Sequence, residues 1–299
     1  MKLATFNIYW LGGYAEHDVQ RSGEDNQRLA EIIAEVNADV YVFQEIVDAD
    51  VLREILDMAD EKTASTTGRR YTMHDAQNHL LGVGAGAPQN DQQVVIAYDA
   101  GRYDLLASSV IKGGVSRPPF AARLRGKNGG GQLLVVGVHF KSGQPQVTDE
   151  SSSKKRERQC QHLSDWLDGK VAGVNPSLPA PLPGEHVAVL GDFNAVYDST
   201  DANHPFFEGD PLFPKFVASL NPLREGHMAE WLWEKPVPED ANDGQVSNYE
   251  ENLLIDFIMF SPSLKGHVPP APTIYAFDRL GPSGRRISDH RPVYAEVNI

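Results

Sequence analysis

The residues best suited to chemistry in this sequence stand directly behind runs of apolar residues. The clearest case is VAVLGDFNA, residues 187–195, where an apolar run and Gly191 deliver Asp192 and Asn194 together. Such a run predicts a strand buried on both faces, and the glycine permits a tight exit. A carboxylate and a carboxamide two residues apart can hold a water molecule and a phosphoryl oxygen, or can simply close the strand with an Asx turn.

Further polar residues follow the same pattern elsewhere in the chain. They lie at the ends of apolar stretches or inside them: Asn7, Glu45, His139, Asp256, Asp289 and His290. Asp256 interrupts the apolar run of residues 252–261, and a buried carboxylate there needs a partner. A lone histidine on an apolar strand is more often a core residue than a catalyst, but six such regions in one chain together indicate one site.

The elements that must position these residues alternate between strands and helices in the first sixty positions. Apolar runs predict strands at residues 2–8 and 39–44, and helical spacing predicts helices from Asn26, as N-cap, to 38 and over 49–59. Strands follow at 93–98, 103–111, 120–124 and 132–140, with a hairpin loop at 127–131. An amphipathic helix over 151–169, on whose buried face we place Cys160, precedes strands at 187–192, 252–261, 273–277 and 293–297.

Composition narrows the class of protein. The chain has 299 residues, 41% of them hydrophobic, which is enough for one large domain or two ordinary ones. The single cysteine excludes an intramolecular disulfide and favours a reducing compartment. No secretory signal precedes the first strand, so we expect a cytoplasmic protein, although a trimmed exported protein would look the same. No apolar run reaches the roughly 18 residues of a membrane span.

The charge balance argues against a general nucleic-acid binder. Against 41 Asp and Glu the chain has 27 Lys and Arg, a formal net charge of −14. The mean field therefore repels polyanions. An enzyme that gathers carboxylates around a divalent metal ion is still allowed, because the bound ion reverses the local charge.

Six short strings stand in a characteristic order between residues 6 and 293: FNI, QE, GVHFKSG, GDFNA, LIDFI and SDHRPV. In this order the chain resembles the endonuclease/exonuclease/phosphatase superfamily, the metal-dependent phosphoesterases related to DNase I. The resemblance implies an α/β fold, a four-layer sandwich in which helices flank two packed sheets of mixed or mostly antiparallel strands. It also favours a single domain over residues 1–299.

The resemblance further implies a metal centre. Glu45 would be the principal ligand of Mg²⁺ or Mn²⁺, with Asn7 and Asp289 as direct or water-mediated ligands beside it. Hard oxygen donors of this kind suit both metals.

The same resemblance implies roles for the other polar residues. Asp192 would position or deprotonate the attacking water, while Asn194 and His139 would donate hydrogen bonds to the scissile phosphate. His290 would face the reacting phosphorus, and Asp256 would be the carboxylate that orients it. His290 would act either as a base or as an electrostatic stabiliser.

Two differences from the abasic-site endonucleases indicate which branch of the family the chain resembles. Tyr9 stands where the abasic-site endonucleases carry an acidic residue, and His139 replaces the tyrosine of that branch. Both differences favour the DNase I-like and phosphodiesterase branches. DNase I supports its first histidine with a glutamate, but this chain has no Glu between residues 61 and 150. Asp75 or Asp91 would have to replace it, unless nothing does.

Three hypotheses about the function of the protein follow. The first is a nuclease acting on DNA or RNA, with Lys141, Arg156 and Arg158 as a local phosphate-binding wall, although such charges also suit a solvated helix. The second is an enzyme for a small phosphodiester, a phospholipid head group or a phosphorylated metabolite. Trp231 and Trp233 would then line its pocket, or would simply pack. The third, a non-catalytic nucleic-acid-binding module, requires a missing catalytic residue, and we find none missing.

Overall fold

The structure is a computed structural model. It describes residues 1–13, 21–75, 92–111, 118–141, 150–172, 177–195, 230–232, 235–240, 247–248, 254–278 and 280–299. Two β-sheets, here called sheet A and sheet B, organise these residues, and three helices lie outside them.

Sheet A has seven strands with mixed directions. They are β1 (Lys2–Leu11), β2 (Val40–Ile46), β3 (Tyr71–Asp75), β4 (Gln93–Asp99), β9 (Val237–Pro238), β11 (Thr273–Ile274) and β12 (Val293–Glu296). Their order across the sheet is β3-β4-β2-β1-β12-β11-β9. Strands β1 and β2 are parallel, as are β9 and β11, and the other neighbours are antiparallel.

Sheet B has five strands, and the predicted hairpin loop lies between two of them. They are β5 (Tyr103–Val110), β6 (Phe120–Gly126), β7 (Gln132–His139), β8 (Val187–Asp192) and β10 (Asp256–Phe260). Their order is β10-β8-β7-β6-β5, and only β7 and β8 are parallel. A short 3-10 turn, Lys127–Gly129, joins β6 to β7, which confirms the predicted hairpin.

The helices complete a four-layer sandwich. Helices α1 (Gly23–Val36) and α2 (Ala49–Thr63) pack on the outer face of sheet A. Helix α3 (Glu150–Leu167) packs on sheet B through Cys160, Leu163 and Trp166. A second hydrophobic layer fills the space between the sheets, so the predicted fold class is confirmed. None of the helices in these ranges is long and apolar enough to cross a membrane.

Two glycines let the backbone pack this closely. A Cβ at Gly137 would lie 2.6 Å from Val42 Cγ1 of the opposite sheet, so only glycine fits there. A Cβ at Gly191 would lie 2.0 Å from the carbonyl oxygen of Val138, at a φ of +150°. Strands β7 and β8 can therefore run side by side to their ends only because residue 191 has no side chain.

The structure also corrects several element boundaries. Helix α1 begins at Gly23 with Ser22 as its N-cap, not at Asn26, because Ser22 and Asp25 form a reciprocal capping box. Helix α2 continues to Thr63, past the predicted end at residue 59. Asp256 is the first residue of β10 rather than the middle of a longer strand. Strands β3 and β9 were not predicted.

Candidate active site

The polar residues of sheet B meet because three neighbouring strands carry them at matched positions. Asp192, the last residue of β8, is the register partner of His139 on β7 and of Asp256 on β10. Strands β7 and β8 both end here, and the antiparallel β10 begins here. All three side chains are buried, with at most 1% of their surface exposed.

Sheet A supplies the facing residues through two irregular strand ends. Asn7 pairs in register with Gln44, and Glu45 follows directly. The pairing of β2 with β4 shifts between Phe43 and Ile46, and Glu45 has a left-handed φ of 60°. Bulges re-aim side chains, and a non-glycine residue in this conformation costs energy that the surrounding contacts must supply.

Hydrogen bonds join the two sheets at this point. Asn7 Nδ2 donates to Glu45 Oε1 and to Asp192 Oδ2, both at 3.1 Å. His139 Nε2 lies 3.7 Å from the same two carboxylates. The other Glu45 oxygen accepts from the Trp10 backbone N–H and from Gln92. The structure thus brings Asn7, Glu45, His139 and Asp192 into one cluster.

His290 joins the cluster from the loop before β12. Its Nδ1 lies 2.8 Å from Asp256 Oδ2, so the pairing inferred from the sequence is present in the structure. Its Nε2 lies 3.5 Å from Asn7 Nδ2 and 3.8 Å from Asp192 Oδ2. Burial alone would lower the pKa of His290, but the carboxylates of Asp256 and Asp289 outweigh burial and raise it well above the ordinary value.

The buried carboxylates of this cluster lie so close together that a bound positive charge would stabilise them. Burial raises the pKa of Asp192 to about 8, and the nearby Asp256 and Glu45 act in the same direction, against the attraction of His290. Ligand atoms of Glu45, His139 and Asp192 lie within 4.8 Å of one another, as do those of Asp192, Asp256 and His290. Carboxylate oxygens with an imidazole nitrogen at this spacing fit a divalent cation.

The structure shows neighbours of Asp289 and Asn194 that the sequence did not indicate. Asp289 is buried, and its Oδ1 lies 4.0 Å from His290 Nε2, but it belongs to neither of the two groups above. Asn194 has a left-handed φ of 48°, and its N–H donates to Asp192 Oδ1 at 2.8 Å. Its side-chain Nδ2 donates to the Phe140 carbonyl at 3.0 Å. An Asx turn is therefore present, and it holds the Asp192 carboxylate inside the cluster.

The proposed phosphate-binding wall is only partly at the surface. Arg158 is exposed and Lys141 is half-buried, but Arg156 is fully buried. Arg156 Nη1 donates to the Lys141 carbonyl at 2.7 Å, and Gln159 accepts from the Lys141 N–H at 2.8 Å. We therefore correct the interpretation of Arg156: it anchors helix α3 to the end of β7 rather than facing solvent.

Three residues at the site were missed as contributors. Asn248 Nδ2 lies 3.0 Å from His290 Nε2, and Ser247 Oγ accepts from the Asp256 N–H at 3.1 Å. Ser288 Oγ donates to the Asn7 carbonyl at 2.6 Å and accepts from the His290 N–H at 3.0 Å. Ser288 adjoins two candidate residues in the sequence, which was an available signal. Ser247 and Asn248 stand in a polar stretch without any periodicity.

The remaining sequence interpretations concern a residue of the core and residues that the structure does not describe. Trp231 is 9% exposed and belongs to the core around sheet B, so packing accounts for it. Trp233 and Asp91 lie outside the described residues, as does the side chain of Asp75. The partner of His139 that was sought among these aspartates stays a prediction.

The fold and the site together define a class of protein: an α/β sandwich with buried carboxylates and histidines where its two sheets meet. A model of the Endonuclease/Exonuclease/phosphatase family matches residues 4–290. The chain belongs to this family, whose members are metal-dependent phosphoesterases. No curated protein matches it in a sequence search.

Solved structures resemble the whole fold at low sequence identity. Beta toxin from Staphylococcus aureus is 18% identical, covers 100% of both chains and has a TM-score of 0.61. TDP2 from D. rerio, solved with a single-strand DNA product, is 16% identical over 100% of this chain and 99% of its own, with a TM-score of 0.59. A mannosyl-6-phosphatase from Bacteroides thetaiotaomicron is 16% identical, covers 100% of both chains and has a TM-score of 0.56. At these identities the likeness concerns the fold alone.

Proposed function

We propose that this protein is a divalent-metal-dependent phosphodiester hydrolase and that its substrate is nucleic acid, DNA or RNA. The observation that carries the proposal is the hydrogen-bonded cluster at the meeting of the two sheets. There, a carboxylate-bound imidazole, Asp256–His290, stands 3.8 Å from a second buried carboxylate, Asp192. This arrangement offers one group to handle a proton and another to meet a charged phosphate oxygen.

Each residue of the cluster has a part in this proposal. Asp192, oriented by the Asn194 N–H, holds the attacking water and accepts its proton. Asp256 holds Nδ1 of His290, so Nε2, which lies 3.0 Å from Asn248 Nδ2, is the ring atom that would meet the phosphate, and His139 supports the same oxygens. The main contribution of Asn194 is to fix Asp192, because its own side-chain amide is already hydrogen-bonded to the Phe140 carbonyl.

The metal centre of the proposal comprises Glu45, Asn7 and Asp289, with Asp192 close by. These residues would hold Mg²⁺ or Mn²⁺, since the donors are oxygens. When bound, the cation would neutralise phosphate charge and polarise the water, as in other metal-assisted hydrolyses. Hydrogen bonds from Trp10, Gln92 and Asn7 fix the Glu45 carboxylate in advance.

Nucleic acid is the preferred substrate for two reasons. The family includes nucleases by its name, and one structural neighbour was solved with a single-strand DNA product. Half-buried Lys141, two residues after the end of β7, and exposed Arg158 on helix α3 supply positive charge for a phosphate backbone.

A smaller phosphoester is the second candidate, and the charge balance favours it. The net charge of −14 repels a long polyanion more than it repels a single phosphate group. A structural neighbour named as a mannosyl-6-phosphatase is consistent with small substrates on this fold.

A substrate panel tests the choice. The protein with Mg²⁺ or Mn²⁺ is incubated with single-stranded DNA, plasmid DNA, RNA, bis-p-nitrophenyl phosphate, sphingomyelin and a sugar phosphate. We expect cleavage of at least one nucleic acid. Turnover confined to the lipid or the small phosphoesters would replace the nuclease proposal with the second candidate. Nucleic-acid binding without any turnover would indicate a non-catalytic module.

A further inference from the structure

Arg21, just before helix α1, joins two segments that are far apart in the sequence. Its Nη2 donates to the carbonyls of Ile8, at 3.1 Å, and Tyr9, at 2.8 Å. The same nitrogen donates to the Ile287 carbonyl at 2.6 Å, and Nε donates to that carbonyl at 3.0 Å. One guanidinium group thus holds three backbone carbonyls, two at the end of β1 and one before β12.

These carbonyls belong to the two segments that carry candidate metal ligands. Ile8 and Tyr9 directly follow Asn7, and Ile287 stands two residues before Asp289. Tyr9 has a φ of 27° and is followed by another residue with positive φ, so this part of β1 would not keep its shape by local preference. External contacts must hold it.

Residues at the start of helix α1 also hold the segment that leads to Asp289, by hydrogen bonds. Asp25 Oδ1 accepts from the Ser283 N–H at 3.2 Å, and Asp25 Oδ2 accepts from Ser283 Oγ at 2.6 Å. Asp25 is also the partner of Ser22 in the capping box. The residues that begin the helix are therefore the ones that fix the approach to Asp289.

Arg21 differs from an arginine that serves only an ion pair. Among the described residues no carboxylate oxygen pairs with Arg21, whereas Arg28, inside helix α1, pairs with Glu31 and Glu35. Burial lowers the pKa of Arg21 to about 10, although the charges of Asp25, Asp289 and Glu45 oppose this shift. The guanidinium is still protonated at neutral pH, and the hydrogen bonds that it makes within the described part of the chain go to backbone carbonyls of the two ligand-bearing segments.

We propose that Arg21 is a positioning residue for the metal centre, because it ties the segment that carries Asn7 to the segment that carries Asp289. This inference rests on the proposed function, in which those residues and Glu45 hold the cation. Such outer supports of metal ligands typically change metal affinity by about 10- to 100-fold. Ser288, which bridges the Asn7 carbonyl and the His290 N–H, reinforces the same connection.

Positioning and simple electrostatics predict opposite results when Arg21 is removed. Arg21 carries a positive charge near Glu45 and Asp289, so its loss alone would strengthen cation binding. If Arg21 positions the ligands, its loss weakens binding despite the charge. Arg21→Lys separates the two further, because lysine keeps the charge but lacks the fork that reaches several carbonyls.

Mn²⁺ binding to the full-length protein, followed by the EPR signal of free Mn²⁺, measures this without any substrate. The difference between wild type and Glu45→Gln defines the binding that belongs to this site. We expect Arg21→Ala and Arg21→Lys to raise the Kd about tenfold or more. Arg28→Ala is the matched control, because the ion pairs of Arg28 among the described residues are with Glu31 and Glu35, surface carboxylates of its own helix, and the Kd of this variant should equal that of wild type.

The outcomes separate this inference from the proposed function. If wild type binds no more Mn²⁺ than Glu45→Gln, the proposed metal centre is wrong, and the proposed role of Arg21 is wrong with it. If wild type binds and Arg21→Lys binds equally well, the metal centre stands and the role of Arg21 is wrong. Tighter binding by Arg21→Ala also overturns it. Should Arg21→Ala fail to fold by circular dichroism, Arg21→Lys decides the question.

Discussion

At the scale of single residues, the Asp192 and His290 side chains carry the proposed chemistry. We expect Asp192→Asn and His290→Gln to lower the rate of hydrolysis at least about 100-fold, since each removes a group that handles a proton or phosphate charge. Steady-state kinetics on a substrate identified by the panel measures this. His186→Gln is the control, because His186 lies before the other end of β8, where its ring contacts Ser263 and His267.

Near-normal turnover in either site variant would contradict these roles. Circular dichroism and thermal melting of each variant show whether a lost rate reflects lost structure. The substitutions are close in volume to the native side chains, so packing of the buried cluster is largely preserved.

Gly191 is the residue on which the path of the backbone into the site depends. We expect Gly191→Ala to lower the free energy of unfolding by roughly 2 kcal/mol or more, because its Cβ would lie 2.0 Å from the Val138 carbonyl oxygen. Gly23→Ala is the control, since nothing lies within 4 Å of a Cβ there, and it should change stability by no more than about 0.5 kcal/mol. Urea unfolding compares the variants. Equal midpoints for both would show that the strands separate readily at residue 191.

The sequence identified the cluster residues well, but it could not identify how they are supported. Apolar runs place Asp192, His139 and Glu45 at strand ends, and the structure puts them there. The left-handed backbone at Glu45 and the carbonyl contacts of Arg21 leave no pattern in side-chain types. Such supports arise from tertiary contacts that a local pattern does not record.

At the scale of elements, the first turn of helix α1 links local stability to the site. We expect Asp25→Ala to lower the free energy of unfolding at pH 7 by roughly 1–2 kcal/mol, through the loss of the capping box and of the Ser283 contacts. Chemical denaturation measures the difference. Asp50→Ala, in the first turn of α2, removes an exposed carboxylate and should have a much smaller effect.

The contribution of Asp25 should also depend on pH. Burial alone would raise the pKa of Asp25, but hydrogen bonds from Ser283 and Ser22 outweigh it and lower the pKa below 3.8. A lowered folded-state pKa gives stability that is present above 3.8 and is lost as the pH falls through the lowered value. The stability difference between wild type and Asp25→Ala should therefore shrink in acid. A difference that grows below pH 3.8 would contradict this assignment.

Element boundaries were less predictable than element types. The spacing of Leu29, Ile32, Ile33 and Val36 predicts helix α1, but the N-cap predicted for it, Asn26, is wrong, because Ser22 caps the helix. The pair Ser22 and Asp25 was a readable capping signal. Strand β9, with only two residues, is held by its pairing to β11 and has no signal of its own.

At the scale of the whole molecule, we propose that the chain folds as one domain. The hydrophobic layer between the sheets contains residues of both, such as Val42 and Val94 from sheet A and Val136 and Leu190 from sheet B. We expect far-UV circular dichroism and tryptophan fluorescence to report one coincident thermal transition. Two separated transitions would mean that the sheets unfold as independent units.

In the mechanism that we propose, a metal ion held at Glu45 drives phosphodiester hydrolysis. Its most direct test is turnover of bis-p-nitrophenyl phosphate and single-stranded DNA by metal-depleted protein, before and after addition of Mg²⁺ or Mn²⁺. We expect no turnover after depletion, recovery in wild type on addition of either ion, and no recovery in Glu45→Gln. Full turnover by exhaustively chelated protein, or equal recovery in Glu45→Gln, would contradict it.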